Sequence, residues 1–130
     1  NLNLTLEAAL TPSGGAETVI TRTNARELYY SAAQQLCHHT TSGCPMNVGD
    51  LLGSGTISGE TKDSRGSLLE LSWGGKEPLE IAPGVTRSFL EDGDRLTLRG
   101  HARGEGFRIG FGDCTGQVLP AADLPDWAKE

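Results

Sequence analysis

The sequence predicts a mainly β domain with one substantial helix, an α+β chain, on three observations. Glycine is abundant at 18 of 130 residues, aromatic residues are few, and short apolar alternations are separated by turn-forming clusters. Together these shift weight from helices toward short strands joined by tight turns. A domain is commonly about 100 to 150 residues, so one core and no internal division are expected.

Leu2, Leu4, Leu6, Ala8 and Leu10 alternate with polar partners for most of their length, the period of a half-buried strand. Thr11-Pro12-Ser13-Gly14-Gly15 supplies turn chemistry, so a hairpin into Thr18-Val19-Ile20 follows. Asn24 and Glu27 have the spacing of a capping box, which starts a helix from Ala25 to about Thr40. Its apolar stripe is Leu28, Ala32, Leu36 with Tyr29, Ala33, Cys37, and Gly43 and Pro45 stop it. Leu51 to Gly59 is too rich in glycine for a helix and is expected as a strand interrupted by close backbone approaches. Further strands are expected at Ser67–Trp73, Thr86–Leu90, Leu96–Ala102 and Phe107–Val118, the last with a glycine break at Gly110 to Gly112. Asp92-Gly93 is expected as a hairpin turn, Gly104-Glu105-Gly106 as another, and the tail beyond Pro120 as surface-bound or mobile.

A net charge of -6 with scattered basic residues is the wrong footprint for a nucleic-acid binder, which needs clustered Lys and Arg against phosphates. No apolar run approaches the roughly 18 to 20 residues of a membrane span, so no membrane partner is expected. Cys37, Cys44 and Cys114 make an odd number without dense spacing, which disfavours a secreted disulfide scaffold and fits the reducing cytoplasm. The chain opens at Asn1 on a strand pattern without an initiator Met, which points to a start inside a larger fold.

Two places carry candidate chemistry. In Gly53 to Gly59, GSGTISG, glycines bring backbone amides near a ligand while the Thr56 hydroxyl can bind a carboxylate; a glycine-rich bulge is the plain alternative. Glu70 interrupts Leu68-Leu69-Glu70-Leu71. Strict alternation puts it on the face opposite Leu69 and Leu71, where it is either an ordinary solvent-facing carboxylate or one that orients a histidine. His38 and His39 beside Cys37 suggest a metal site, but adjacent helical residues point about 100° apart and cannot easily share one ion. No cysteine has a charge pattern that lowers its pKa, and Gly53-Ser54-Gly55 is not a nucleophile elbow, so covalent catalysis has no local support.

Gln34 to Gly59, QQLCHHTTSGCPMNVGDLLGSGTISG, closely resembles the C-terminal signature of the fumarylacetoacetases, a branch of the fumarylacetoacetate hydrolase superfamily. GSLLELSWGG (Gly66 to Gly75), TRSFLEDGD (Thr86 to Asp94) and GFRIGFGDCTGQVLPA (Gly106 to Ala121) follow in the same order, so nearly the whole chain is covered. GTISG in place of a TGTP-like loop, together with LELSW (Leu69 to Trp73) and RIGFG (Arg108 to Gly112), resembles this branch rather than the acylpyruvases.

The resemblance implies a mixed β-roll or β-sandwich, a homodimer, and residues 1–130 as the C-terminal part of a catalytic domain whose upstream half is absent. It implies a metal-dependent hydrolase that cleaves a carbon–carbon bond of 4-fumarylacetoacetate, giving fumarate and acetoacetate in tyrosine catabolism. Thr56 matches the threonine that binds a substrate carboxylate, and Glu70 the glutamate that hydrogen-bonds the catalytic histidine. The family's metal, Mg²⁺ or Ca²⁺, suits oxygen ligands. Those ligands, the histidine, and a lysine and glutamine that stabilise the leaving carbanion match nothing in this chain, which alone is expected to be inactive. An acylpyruvate hydrolase of the same superfamily is one alternative. A non-catalytic binding or dimerisation module is the other, because fold alone does not establish activity.

Overall fold

The computed structural model describes residues 2–123. The first alternation forms β1 (Leu4–Thr11), and the chain returns as β2 (Thr18–Asn24) through a turn in which the Gly15 amide donates to the Pro12 carbonyl at 2.9 Å. The helices are α1 (Ala32–Thr41) and the short α2 (Leu68–Leu71); then come β3 (Leu79–Ala82), β4 (Val85–Arg87), β5 (Arg95–Gly104) and β6 (Phe107–Gln117). One antiparallel sheet has the order β2-β1-β5-β6, and β3 and β4 form a separate two-stranded hairpin. The mainly β class with few helices is therefore as expected.

The expected breaks on β6 are present. Arg99 pairs with Asp113 and His101 with Gly110, so Phe111 and Gly112 together oppose Gly100 in a bulge, with Gly112 at φ 77°. Glu105-Gly106 is the two-residue turn joining β5 to β6, and Gly106 takes the positive φ it needs, 75°.

Four expectations fail for identifiable reasons. The long helix from Ala25 is split: Asn24 caps only a 3-10 turn, Ala25–Glu27, by accepting from the Arg26 amide, and Leu28 then becomes extended. The capping box belongs to Ser31 and Gln34, which exchange backbone and side-chain hydrogen bonds and start α1 seven residues later than Asn24. Leu51 to Gly59 forms no strand, because no neighbouring strand pairs with it and Gly55 sits at φ 78°. Within Ser67 to Trp73 no strand forms and Leu68–Leu71 is helical, because Ser67 accepts from the Glu70 amide and so caps α2. Finally, Asp92-Gly93 is a turn but not a hairpin, since β4 and β5 do not pair; β4 pairs instead with β3, a short strand enclosed by Pro78 and Pro83 that sequence patterning passed over. Much of the tail expected beyond Pro120 lies outside the described residues.

Strand register sorts the sheet into two unlike faces. Leu6, Gly100 and Phe111 lie in line, and Leu4, Ala102 and Ile109 form the next row. The opposite face is charged: Arg99 reaches Glu17 at 2.8 Å and Asp113 at 3.0 Å, and Arg22 reaches Glu7 at 2.7 Å. Each pair has at least one solvent-exposed member, so each contributes little to stability. Core burial is concentrated in Ala9 and Leu10 of β1, Leu71 of α2, Ile81 of β3 and Ala25. On the apolar face of β6, by contrast, Ile109 is 57 % and Phe111 66 % exposed.

Asp94 joins the separate pieces. It is fully buried, and Arg87 of β4 grips both carboxylate oxygens at 2.8 and 3.0 Å. The Glu91 amide donates to Oδ2 at 2.9 Å, and the Ser13 amide in the β1–β2 turn also donates to this carboxylate. The Val118 amide donates to the Asp94 carbonyl and the Gly93 amide to the Val118 carbonyl, which closes the paired ends of β5 and β6. The Arg87 guanidinium holds the Asp94 carboxyl below its ordinary range against the opposing effect of burial.

The folded state therefore binds this proton less readily than the unfolded chain. Its contribution is fully present above about pH 4 and is lost as the pH falls through the folded value. Asp94→Ala should lower the unfolding free energy measured in urea by about 3 to 5 kcal/mol, because the largely buried Arg87 then keeps only the exposed Glu91 carboxylate, at 3.3 Å, as its charged partner. The same variant should flatten the acid limb of the stability curve. A loss below about 1 kcal/mol with an unchanged acid limb would contradict this role.

Candidate functional site

The site region begins on β2. The Thr21 hydroxyl is buried and lies within hydrogen-bond reach of the Asp63 and Arg65 carbonyls, at 3.0 and 2.7 Å, which anchors a 3-10 turn at Lys62–Ser64 against the sheet. The Gly59 amide donates to the Ser64 carbonyl at 2.9 Å, so the end of the GSGTISG loop is tied to the same turn. From there Gly66 passes directly against the loop backbone: a Cβ on Gly66 would overlap the Ile57 carbonyl oxygen and sit 2.8 Å from the Thr56 methyl. This close approach is the one the glycine permits.

Glu70 stands at the third position of α2, where Ser67 is the cap. Its Oε2 accepts from the Ser58 hydroxyl at 2.6 Å and from the Ser67 hydroxyl at 3.0 Å. The Ser58 oxygen in turn accepts from the Gly66 amide at 2.9 Å. Arg65 donates to the Glu70 carbonyl at 3.1 Å, and its guanidinium lies 5.8 Å from the centre of the Trp73 ring, a cation–π arrangement. Trp73 has φ 50°, an uncommon conformation for a bulky residue, and with Gly74 and Gly75 at 66° and 85° it ends the helix.

The Ser58 hydrogen bond holds the Glu70 carboxyl below the usual glutamate range; partial burial opposes it, and Ser67, the Arg65 charge and the Gly66 amide reinforce it. Near neutral pH the group is an ionised, half-buried hydrogen-bond acceptor. Such a carboxylate can orient a cationic or N–H-bearing partner; it is a poor proton donor.

Thr56 is exposed on the loop two residues before Ser58, so the loop joins the two residues singled out from the sequence, Thr56 through its backbone and Glu70 through Ser58. The strict-alternation placement of Glu70 is corrected, because α2 is helical and Glu70 faces the loop. Ser58, Ser67 and Arg65 were not singled out. Ser67 was legible, since Ser-x-x-Glu is the pattern of a helix start.

The remaining candidates lie elsewhere. His38 and His39 are exposed on α1. Cys37, Cys44 and Cys114 are exposed and unpaired as disulfides. Among the described residues no three His, Cys, Asp or Glu side chains gather as a metal site, so they do not supply a ligand set for a divalent ion. A cavity of about 690 Å³ lies between α1 and Gly53-Ser54 and is lined by Leu28, Tyr30, Leu36, His39 and Leu52, but by neither Thr56 nor Glu70. That cavity offers an open, largely apolar surface, whereas Glu70 and Thr56 stand on α2 and the loop outside it. No helix of the described residues is long and apolar enough to cross a membrane.

Gly66→Ala should displace the loop, as its φ tolerates a side chain but its surroundings do not. Unfolding free energy should fall by about 1 to 3 kcal/mol and limited proteolysis between Leu51 and Ile57 should accelerate. Unchanged stability and cleavage would contradict the packing.

A family model described as Fumarylacetoacetate (FAA) hydrolase C-terminal matches residues 2–119. The chain is 56% identical to the fumarylacetoacetase of Aspergillus fumigatus over 122 residues, which is 94% of this chain and 28% of that protein. It is 50% identical to the Arabidopsis thaliana fumarylacetoacetase over 122 residues, 93% of this chain and 29% of that protein. Against the Homo sapiens fumarylacetoacetase it is 50% identical over 102 residues, 78% of this chain and 24% of that protein. The chain thus spans well under a third of the length of these relatives.

Proposed function

The chain belongs to the fumarylacetoacetate hydrolase family, matching its C-terminal model, and we propose that it supplies one wall of the active site of an enzyme that hydrolyses 4-fumarylacetoacetate to fumarate and acetoacetate. The observation that carries this reading is the ionised Glu70 carboxylate, fixed by two serine hydroxyls beside the loop that presents Thr56.

In the proposed reaction an imidazole from outside this chain takes a proton from water, and the resulting hydroxide oxygen adds to the substrate carbonyl carbon. The bond to the adjacent carbon then breaks. Its electron pair stays with the acetoacetate fragment, which is protonated, while the carbonyl fragment leaves as fumarate. Glu70 accepts the N–H of the imidazole, sets its tautomer and stabilises the cation it becomes. Thr56 donates its hydroxyl to a substrate carboxylate, which places the carbonyl for attack. Mg²⁺ or Ca²⁺ would polarise the diketo oxygens, with ligands drawn from the rest of the polypeptide.

We further read the complete protein as a cytoplasmic homodimer of β-roll or β-sandwich type that acts in tyrosine catabolism. The apolar face left bare on β6 supports a covering element beyond the described residues.

Loss of fumarylacetoacetate ultraviolet absorbance, with fumarate appearing, tests the reading in the intact polypeptide that carries this segment. Glu70→Gln should lower kcat by about two to four orders of magnitude while the protein stays folded. Thr56→Val should act mainly on KM, by about ten- to hundredfold, as expected for losing a hydrogen bond to a charged group. Absence of turnover in folded, Mg²⁺-supplemented protein would overturn the substrate assignment, and near-normal turnover of Glu70→Gln would overturn the role of that residue.

A further inference from the structure

We propose that Ser58 and Ser67 are positioning residues for Glu70: together their hydroxyls occupy Oε2 and reserve Oε1 for the imidazole N–H. This role rests on the reaction proposed above. Neither serine contacts the reacting atoms; each acts through the carboxylate.

Hydroxyl direction is the first ground. A serine hydroxyl carries one proton, and its own acceptor bonds decide where that proton points. The Ser58 oxygen is taken by the Gly66 amide at 2.9 Å, and its proton goes to Glu70 Oε2 at 2.6 Å. The Ser67 oxygen is taken by the Glu70 amide at 3.3 Å, and its proton goes to the same Oε2 at 3.0 Å. Both rotors are thus set by backbone amides. Among the described residues no side-chain hydrogen bond reaches Oε1.

A second ground is the torsional softness of a glutamate. The last torsion of its side chain is broad and nearly two-fold, so an unrestrained carboxylate presents either oxygen. Two donors from positions 58 and 67 that converge on one oxygen remove that freedom. They leave one acceptor at a set angle, which is what a tautomer-fixing partner needs.

The third ground is linkage to the substrate loop. Ser58 is two residues beyond Thr56, so the contact that fixes Glu70 also fixes the segment presenting the Thr56 hydroxyl. The charged neighbours are few. Arg65 binds the Glu70 carbonyl and favours its ionised form, and the Glu27 carboxyl approaches Gly59, next to Ser58. The Gly66 amide also acts on this carboxylate, and among the described residues the two serines are the side chains that hydrogen-bond to its oxygens.

The test uses the intact polypeptide with Ser58→Ala, Ser58→Thr and the Ser58→Ala/Ser67→Ala double variant. Two quantities are read: the ¹³C titration of the Glu70 carboxyl carbon, assigned by its loss in Glu70→Gln, and the pH profile of fumarylacetoacetate hydrolysis. Ser58→Ala should raise the Glu70 titration midpoint and move the acid limb of kcat/KM upward with it. It should also lower kcat about ten- to hundredfold, the loss of one hydrogen bond to a charged group, with KM within about twofold. The double variant should go further, and Ser58→Thr, which keeps the hydroxyl, should restore both readouts. An unmoved Glu70 titration in both alanine variants would overturn the proposal, as would a kcat loss that threonine fails to rescue. If the titration moves as described but the unaltered protein leaves fumarylacetoacetate intact, the serine clamp is supported and the reaction is overturned.

Discussion

One carboxylate oxygen organises the candidate site of this chain. Glu70 Oε2 collects the hydroxyls of Ser58 and Ser67, and so joins a loop without regular structure to the start of a four-residue helix. Neither element would hold its place unaided. An isolated single-turn helix is far below the length that is stable in water, and the loop has no strand partner. Their positions follow instead from side-chain bonds, from the Thr21 hydroxyl that ties the neighbouring turn to β2, and from the bare Gly66 backbone lying against Ile57.

The sheet serves as the platform and Asp94 as its fastening. Burying a charge costs several kcal/mol unless it is fully partnered, and here a two-toothed arginine and backbone amides partner it. That arrangement draws the small β3–β4 hairpin and the β1–β2 turn to the point where β5 begins, so the buried residues gather there. The opposite end of the apolar face stays open along β6. Platform and site meet at β2, whose first residue bonds the Ile81 carbonyl and whose Thr21 holds the site turn.

The long strands were legible because their signals are local and repeated. Alternation marked Leu4–Thr11, and the glycines of Gly110 to Gly112 and Gly104 to Gly106 marked a bulge and a turn that the register confirms. The failures came where two local signals compete. Asn24-x-x-Glu27 and Ser31-x-x-Gln34 both spell a helix start, and Asn24 spends its side chain on a three-residue turn. Leu68-Leu69-Glu70-Leu71 has strand composition, yet the preceding serine turns it into a helix. Thr56 and Glu70 could be singled out by residue type and by family likeness. Ser58 could not, because its importance is a 2.6 Å contact across twelve residues of chain, and no local pattern encodes that.

In the proposed reaction Glu70 uses its remaining oxygen to hold an imidazole beside a substrate seated on Thr56. The most direct measurement is a crystal structure of the intact polypeptide with a non-hydrolysable fumarylacetoacetate analogue. Glu70 Oε1 should lie about 2.6 to 3.2 Å from an imidazole nitrogen, with Oε2 still on Ser58 and Ser67 and the Thr56 hydroxyl on a ligand carboxylate. Glu70 facing solvent with no imidazole in reach, or an analogue bound away from Thr56, would contradict this arrangement.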